Sequence, residues 1–212
     1  MINNVTRITS KICFSVFVLV ASATAQSVQR TEPSPAAAGP GVNVSVGYSR
    51  LALAVPAAQR TNLNGLDLSG TVDFNPHWGI TLDSNYVRTA RIPNTPHMGY
   101  VLSFLGGPVF YPIEHGGTRI FIHGLAGTAL VDGATPGVSG AYHYGWVMQF
   151  SYAAGAGFER AFVGPFSARV GADYLRTAFF NSAGSVQPQN NFRITLSLVC
   201  RLKEHQHRVL VR

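Results

Sequence analysis

The residues best suited to catalysis or metal binding are seven histidines and two cysteines. A hydrolase needs a nucleophile with a base in hydrogen-bond reach. None of His77, His97, His115, His123 and His143 is followed two residues on by serine. His97 and His143 fall in predicted loops, with only Asp132 as an acidic neighbour, distant in sequence. Zinc takes about four ligands, and only His205 and His207 are closely spaced, in a terminal tail. Cys13 lies in a segment expected to be removed, which leaves Cys200 alone and excludes an intramolecular disulfide. Gly155-x-Gly157 lacks the spacing and the following helix of a nucleotide loop. The expectation is no catalytic residue, no metal and no cofactor.

The charged residues carry a different message, because they alternate with apolar ones. From Trp146, the residues Met148, Phe150, Tyr152, Ala154, Ala156 and Phe158 share one face, and Val147, Gln149, Ser151, Ala153, Gly155, Gly157 and Glu159 share the other. Further on, Phe166, Ala168, Val170, Ala172 and Tyr174 oppose Ser167, Arg169, Gly171, Asp173 and Thr177. Period-two alternation of this kind predicts long strands. One face is apolar with aromatics at its ends, and the other is small or charged. A barrel spanning a membrane needs apolar residues outward and polar residues inward. Asp83, Glu159, Arg169, Asp173, Arg193 and Arg201 are then expected to meet inside as a salt-bridge network, since buried charges must pair.

Eight strands are predicted. They cover about 42–55, 65–74, 78–89, 99–110, 117–131, the two in the stretch just described (146–159 and 166–177), and 191–202. Each is near or above the 9–11 residues that a tilted membrane strand requires. The faces of the fifth are ambiguous, although Ile120 and Ile122 outward would turn Arg119 and His123 inward. Pro108 lacks an N–H, so a bulge near it is expected. Connections alternate in length. Those at 75–77, 111–116 and 160–164 are short, and those near 56–64, 90–98, 132–144 and 179–190 are longer. Short turns belong on the periplasmic side and long loops on the cell surface. Phe74, Trp78, Phe110, Phe158 and Phe166 fall at the short-turn ends, and Tyr86, Tyr100, Trp146, Tyr174 and Phe192 toward the long-loop ends. These are two candidate aromatic girdles at the membrane interfaces.

Composition agrees. Hydrophobic residues make up 46% of the 212 residues and charged residues 12%, about half the usual charged share. Residues 1–25 read as a secretory signal peptide, with Arg7 and Lys11 before an apolar core (Ile12 to Ala21) and Ala23-Thr24-Ala25 at the cleavage site. Removing it lowers the formal charge from +7 to +5. No Lys/Arg run remains, so nucleic-acid binding is not indicated. Residues 26–41 are a Pro/Ala-rich linker, 42–202 the barrel domain, and 203–212 a basic tail.

The ordered set of Gly65 to Thr89 (GLDLSGTVDFNPHWGITLDSNYVRT), Gly155-Ala156-Gly157-Phe158-Glu159 and Phe166 to Thr177 (FSARVGADYLRT) resembles the outer-membrane protein A-like family of eight-stranded barrels. The resemblance spans about 42–202 and implies an all-β, up-and-down antiparallel transmembrane barrel. Two features depart from the family. Leu202 stands where the last strand usually ends in Phe, and the ten residues after it cannot hold the peptidoglycan-binding domain of some relatives.

The resulting expectation is a monomeric integral outer-membrane protein. Its partners are outer-membrane lipid and lipopolysaccharide, the outer-membrane assembly machinery, and an unidentified surface ligand at the long loops. Its role is structural or adhesive, or that of a weak passive pore. The alternatives are a periplasmic soluble barrel binding a small apolar ligand, with its charged face outward, and a barrel enzyme acting on outer-membrane lipid.

Overall fold

The computed structural model describes residues 41–54, 60–91, 98–132, 135–136, 142–143, 146–180 and 186–202. The signal peptide, nearly all of the linker, the basic tail and His97 lie outside the described residues. Ten strands follow in order: β1 Gly41–Ala54, β2 Arg60–Asp73, β3 Trp78–Thr89, β4 Gly99–His115, β5 Thr118–Asp132, β6 Thr135–Pro136, β7 Tyr142–His143, β8 Val147–Val163, β9 Phe166–Phe180 and β10 Val186–Leu202. Eight of them close into a barrel in the order β1-β10-β9-β8-β5-β4-β3-β2. Every pairing is antiparallel. The two-residue strands β6 and β7 pair only with each other, within the β5–β8 connection.

Closure is complete. Val42 pairs with Leu202 at one end of the β1–β10 seam, and Ala52 with Phe192 at the other. Followed from Val42 through the partners on each successive strand, the register returns to β1 at Ala52, ten residues on. That stagger tilts the strands and, for eight strands, leaves an interior just wide enough to be filled by side chains.

The strands are longer than the alternation alone predicts. β4 continues through the expected 111–116 turn to His115, and β8 continues to Val163. The turns shrink to Gly116-Gly117 and Gly164-Pro165. Gly116 and Gly117 both have positive φ, 55° and 75°. A two-residue hairpin turn that matches strand twist requires this, and glycine adopts it at no steric cost. Asn75 Oδ1 accepts from the backbone N–H of His77 and of Trp78, each at 2.9 Å, and so pins the Asn-Pro-His turn. At the other end, β2 starts at Arg60 and β10 at Val186, so two of the four long connections, β1–β2 and β9–β10, are shorter than expected.

The bulge expected near Pro108 lies instead between Phe110 and Ile113, where the β4–β5 register shifts by one. Pro112 sits inside it. Pro108 keeps its place opposite Ile80 on β3. The β4–β5 ladder is interrupted at Gly107 and Pro108, where the proline supplies no N–H, and the bulge further on absorbs the extra residue.

One glycine is dictated by packing. A Cβ at Gly157 would meet the Val170 carbonyl and the Phe121 ring. Gly157→Val is expected to lower stability by about 1–3 kcal/mol through overpacking, measured by urea unfolding of the detergent-folded barrel. An unchanged midpoint would show that the interior is slack at this point.

Candidate functional site

The strand alternation sends the polar face inward. Asp67, Asp73, Asp83, Glu159 and Asp173 are all buried, as are Arg119 and Arg193. Valine, leucine, isoleucine and aromatic side chains cover the outside. Leu82 is 68% exposed while Glu159 is 2% exposed. This polarity is the reverse of a soluble ligand-binding barrel, in which charges face water and an apolar surface lines the cavity.

The interior charges form two groups. Arg193 on β10 is the hub of the first and is 1% exposed. Its Nη1 donates to Asp83 Oδ1 on β3 at 2.6 Å, and its Nε donates to Asp173 Oδ2 on β9 at 2.7 Å. Asp67 on β2 lies 3.8 Å from the same Nη1. Asp173 also holds the His123 ring Nε2 at 2.7 Å, from β5 across β8. The second group lies nearer the short turns. Arg119 on β5 donates to Asp73 on β2 at 3.2 Å, and its guanidinium stacks 3.7 Å above the Tyr111 ring. Arg169 on β9 donates through Nε and Nη2 to Glu159 Oε2 on β8, at 3.1 and 2.7 Å. Arg201 stands half-exposed at the rim, 3.6 Å from Glu159.

All six charges singled out from the sequence therefore lie in or at the mouth of the lumen, but in two groups. Asp83, Asp173 and Arg193 meet in one, and Glu159, Arg169 and Arg201 in the other. Sequence reasoning left Asp67 and Asp73 out of the network. The alternation of β2 carried the signal, since Leu66, Leu68 and Val72 point outward and so send both carboxylates in. Arg119 and His123 follow from the outward Ile120 and Ile122, which resolves the facing of β5.

The long-loop half of the lumen is different in kind. Leu51, Leu63, Val87, Val101, Leu105, Leu125, Ala153 and Leu175 form one buried aliphatic cluster there, with Leu53 and Val131 packed against it. Above this layer the interior turns polar again, where Asn191 Nδ2 donates to Thr177 at 2.8 Å and the Ala54 N–H donates to Asn191 Oδ1 at 2.8 Å. The expected salt-bridge filling thus occupies only the half of the barrel nearer the short turns.

On the outside, Phe74, Trp78, Phe158 and Phe166 are exposed at the short-turn end, with Phe110 partly covered and its ring centroid 4.7 Å from that of Trp78. Tyr86, Trp146, Tyr174 and Phe192 are exposed toward the long loops, and Tyr100 stacks on Tyr86 with centroids 6.3 Å apart. Among the described residues no cluster of metal-ligating side chains occurs.

Removing one partner of a buried ion pair strands the other, at a cost of about 3–5 kcal/mol. Arg193→Met is expected to destabilise the barrel by that amount, and the Arg193→Met/Asp83→Asn double variant to recover part of it. The check is a double-mutant cycle in urea. Strict additivity would mean that the cross-lumen bond carries no coupling.

No protein-family model and no curated protein sequence matches the chain. Solved structures do. The attachment invasion locus protein Ail of Yersinia pestis is similar at 17% identity and a TM-score of 0.55, over 78% of this chain and all of that one. Neisserial surface protein A is 12% identical with a TM-score of 0.51, over 79% of this chain and 98% of that one. The outer-membrane protein OprG of Pseudomonas aeruginosa is 10% identical with a TM-score of 0.51, over 78% and 97%. Identities this low carry fold and nothing more, and the fold is the one the sequence resemblance implies: the chain is an eight-stranded antiparallel barrel of the architecture found in small outer-membrane proteins.

Proposed function

We propose that this chain is an integral outer-membrane protein of a diderm bacterium, with a lumen closed to solutes and long loops that act at the cell surface. The inverted polarity carries the reading. Five carboxylates and the guanidinium groups of Arg119, Arg169 and Arg193 sit inside, while apolar side chains cover the outside. Water would disfavour that exterior. Hydrocarbon favours it, and closure leaves no strand edge unpaired there. The two aromatic bands suit the two interfaces, where amphipathic rings settle. A signal peptide at 1–25 accounts for export, and the outer-membrane assembly machinery for insertion as a monomer.

The aliphatic layer weighs against passive permeation. An ion passing it would lose its hydration with no polar group to replace it, which is very costly. The charged network beneath serves to brace the barrel. We read the protein as non-catalytic: the His123–Asp173 pair is taken up in the Arg193 ion-pair group of the lumen. What remains is a structural or adhesive role. The fold-similar Yersinia protein is an attachment invasion locus protein, also solved in complex with the heparin analogue sucrose octasulfate. By that analogy the loops of this chain engage a surface ligand.

Gel migration of the outer-membrane fraction, with and without boiling, tests the location. A heat-dependent shift is expected, and a soluble protein with no shift would defeat the reading. Planar-bilayer recording tests the seal. Wild type is expected to be silent, and a Leu63→Ser/Leu125→Ser/Leu175→Ser variant that still shows the heat shift is expected to conduct. Single-channel steps from wild type would restore the pore.

A further inference from the structure

A second set of arginines faces the opposite way. Tyr-x-Arg occurs on three strands: Tyr48-Ser49-Arg50 on β1, Tyr86-Val87-Arg88 on β3 and Tyr174-Leu175-Arg176 on β9. In each case the residue between is buried in the lumen, so the tyrosine and the arginine point outward. The tyrosine lies at the long-loop aromatic band, and the arginine two residues further toward the loops.

Asparagines fill the strands between. Arg50 is in register with Asn64 on β2, and Arg176 with Asn190 on β10. The same bond recurs in both places. Tyr48 OH donates to Asn64 Oδ1 at 2.5 Å, and Tyr174 OH donates to Asn190 Oδ1 at 2.6 Å. Each tyrosine thereby occupies the amide oxygen and leaves the amide N–H2 free to donate outward. Arg88 completes the series, in register with Asn64. Read around the wall, five consecutive strands present Arg176, Asn190, Arg50, Asn64 and Arg88. The band steps at the β1–β10 seam: Arg50 lies opposite Ile194, and Asn190, with Arg176 beside it, stands four residues nearer the loops. Arg50 and Arg88, in register on either side of Asn64, are two strand spacings apart, roughly 10 Å.

The band consists of donors only. Arg50 and Arg88 are exposed and Arg176 is half-covered, and among the described residues none of the three takes part in an ion pair. The carboxylates that could neutralise them are elsewhere: of the seven on described residues, five are in the lumen, Glu114 is by a short turn, and only Asp132 is at the long-loop end. Unpaired guanidinium groups just above an aromatic band match the level at which an outer leaflet carries its phosphates. Guanidinium recognises phosphate bidentately, and neighbouring amide donors suit phosphate and sugar oxygens.

We propose that this band on β9, β10, β1, β2 and β3 is a binding site for the phosphate groups of the outer-leaflet glycolipid, lipid A. The site rests on the outer-membrane reading above and adds to it a specific face and a specific headgroup chemistry. It makes one side of the barrel the lipid-docking side, with Arg50 and Arg88 straddling Asn64 to hold one headgroup and Arg176 with Asn190 to hold the next.

The test uses the full barrel folded into phosphatidylcholine nanodiscs, with added bis-phosphorylated lipid A or the same lipid A stripped of phosphate. The first measurement is the heat-dependent gel shift in phosphatidylcholine alone, for wild type and for Arg50→Gln/Arg88→Gln. Its absence from wild type would overturn the membrane reading and the lipid site together. With the shift present, lipid A retention is followed by native mass spectrometry. Wild type is expected to retain the phosphorylated lipid and not the stripped one. The double variant is expected to bind it about tenfold more weakly for each arginine removed. Arg160→Gln, a change at the opposite rim, is expected to bind as wild type does. Equal retention of the stripped lipid, or equal retention by the double variant, would overturn the lipid site and leave the barrel reading standing. So would complete displacement of the lipid by soluble sucrose octasulfate, since that would assign the arginines to a soluble sulfated glycan.

Discussion

Arg193 is the interaction on which the interior depends. A guanidinium 1% exposed is tolerable only if its charge and its N–H groups are met. Here they are met by carboxylates from β3 and β9, with a third from β2 close by. β10 and β3 are not neighbours, for β1 and β2 lie between them. The Arg193–Asp83 bond is therefore a strut across the lumen and not a rung between adjacent strands. Arg119–Asp73 does the same from β5 to β2. Backbone ladders fix the spacing of neighbours, and these struts fix the cross-section.

The barrel then divides into layers, each answering a different need. The charged half brings long polar side chains into a space that backbone pairing alone would leave unfilled. The aliphatic half covers that space on the loop side with buried leucine and valine side chains. Neither works well without the other. An all-charged interior would have to admit water to solvate what the pairs leave over, and an all-aliphatic one would supply no directional bond across the lumen. Tyr111 spans the two ideas in one residue, with its ring face under the Arg119 guanidinium and against the short-turn cluster of Val109 and Phe121.

Much of this was legible in the sequence, for identifiable reasons. Alternation is a strict property of an extended chain, so one outward residue such as Leu82 or Phe158 determines the facing of its neighbours. It placed Asp83, Glu159 and Asp173 inside without any knowledge of partners. It was silent where both faces are apolar. Val87, Val101 and Leu105 point inward beside outward-facing residues of similar character, and no periodicity separates a lumen leucine from a lipid-facing one. Pairing partners were equally out of reach, since the Arg193–Asp83 bond joins residues 110 apart and depends on the barrel's stagger. The strand ends were underestimated because proline reads as a terminator, whereas the Phe110–Ile113 bulge lets β4 run past Pro112. The Tyr-x-Arg band is illegible along the chain because its copies at 48–50, 86–88 and 174–176 lie far apart in sequence, and only the barrel's pairing brings β9, β1 and β3 to one side.

The seam that closes the sheet also sets the order of assembly. Val42 finds its partner in Leu202, so the first strand stays an open edge until the last has arrived. Every other barrel pairing joins strands that follow one another along the chain, apart from the small β6–β7 pair between β5 and β8, and the closing one spans nearly its whole described length. Contacts that distant form slowly, because the entropy of gathering the chain is lost before the bonds are gained. In the interval the unpaired first strand is a template for any other extended chain it meets. The same eleven-pair ladder that gives the finished barrel no edges therefore leaves the unfinished form with an open first strand, and that edge is lost only when the tenth strand reaches it.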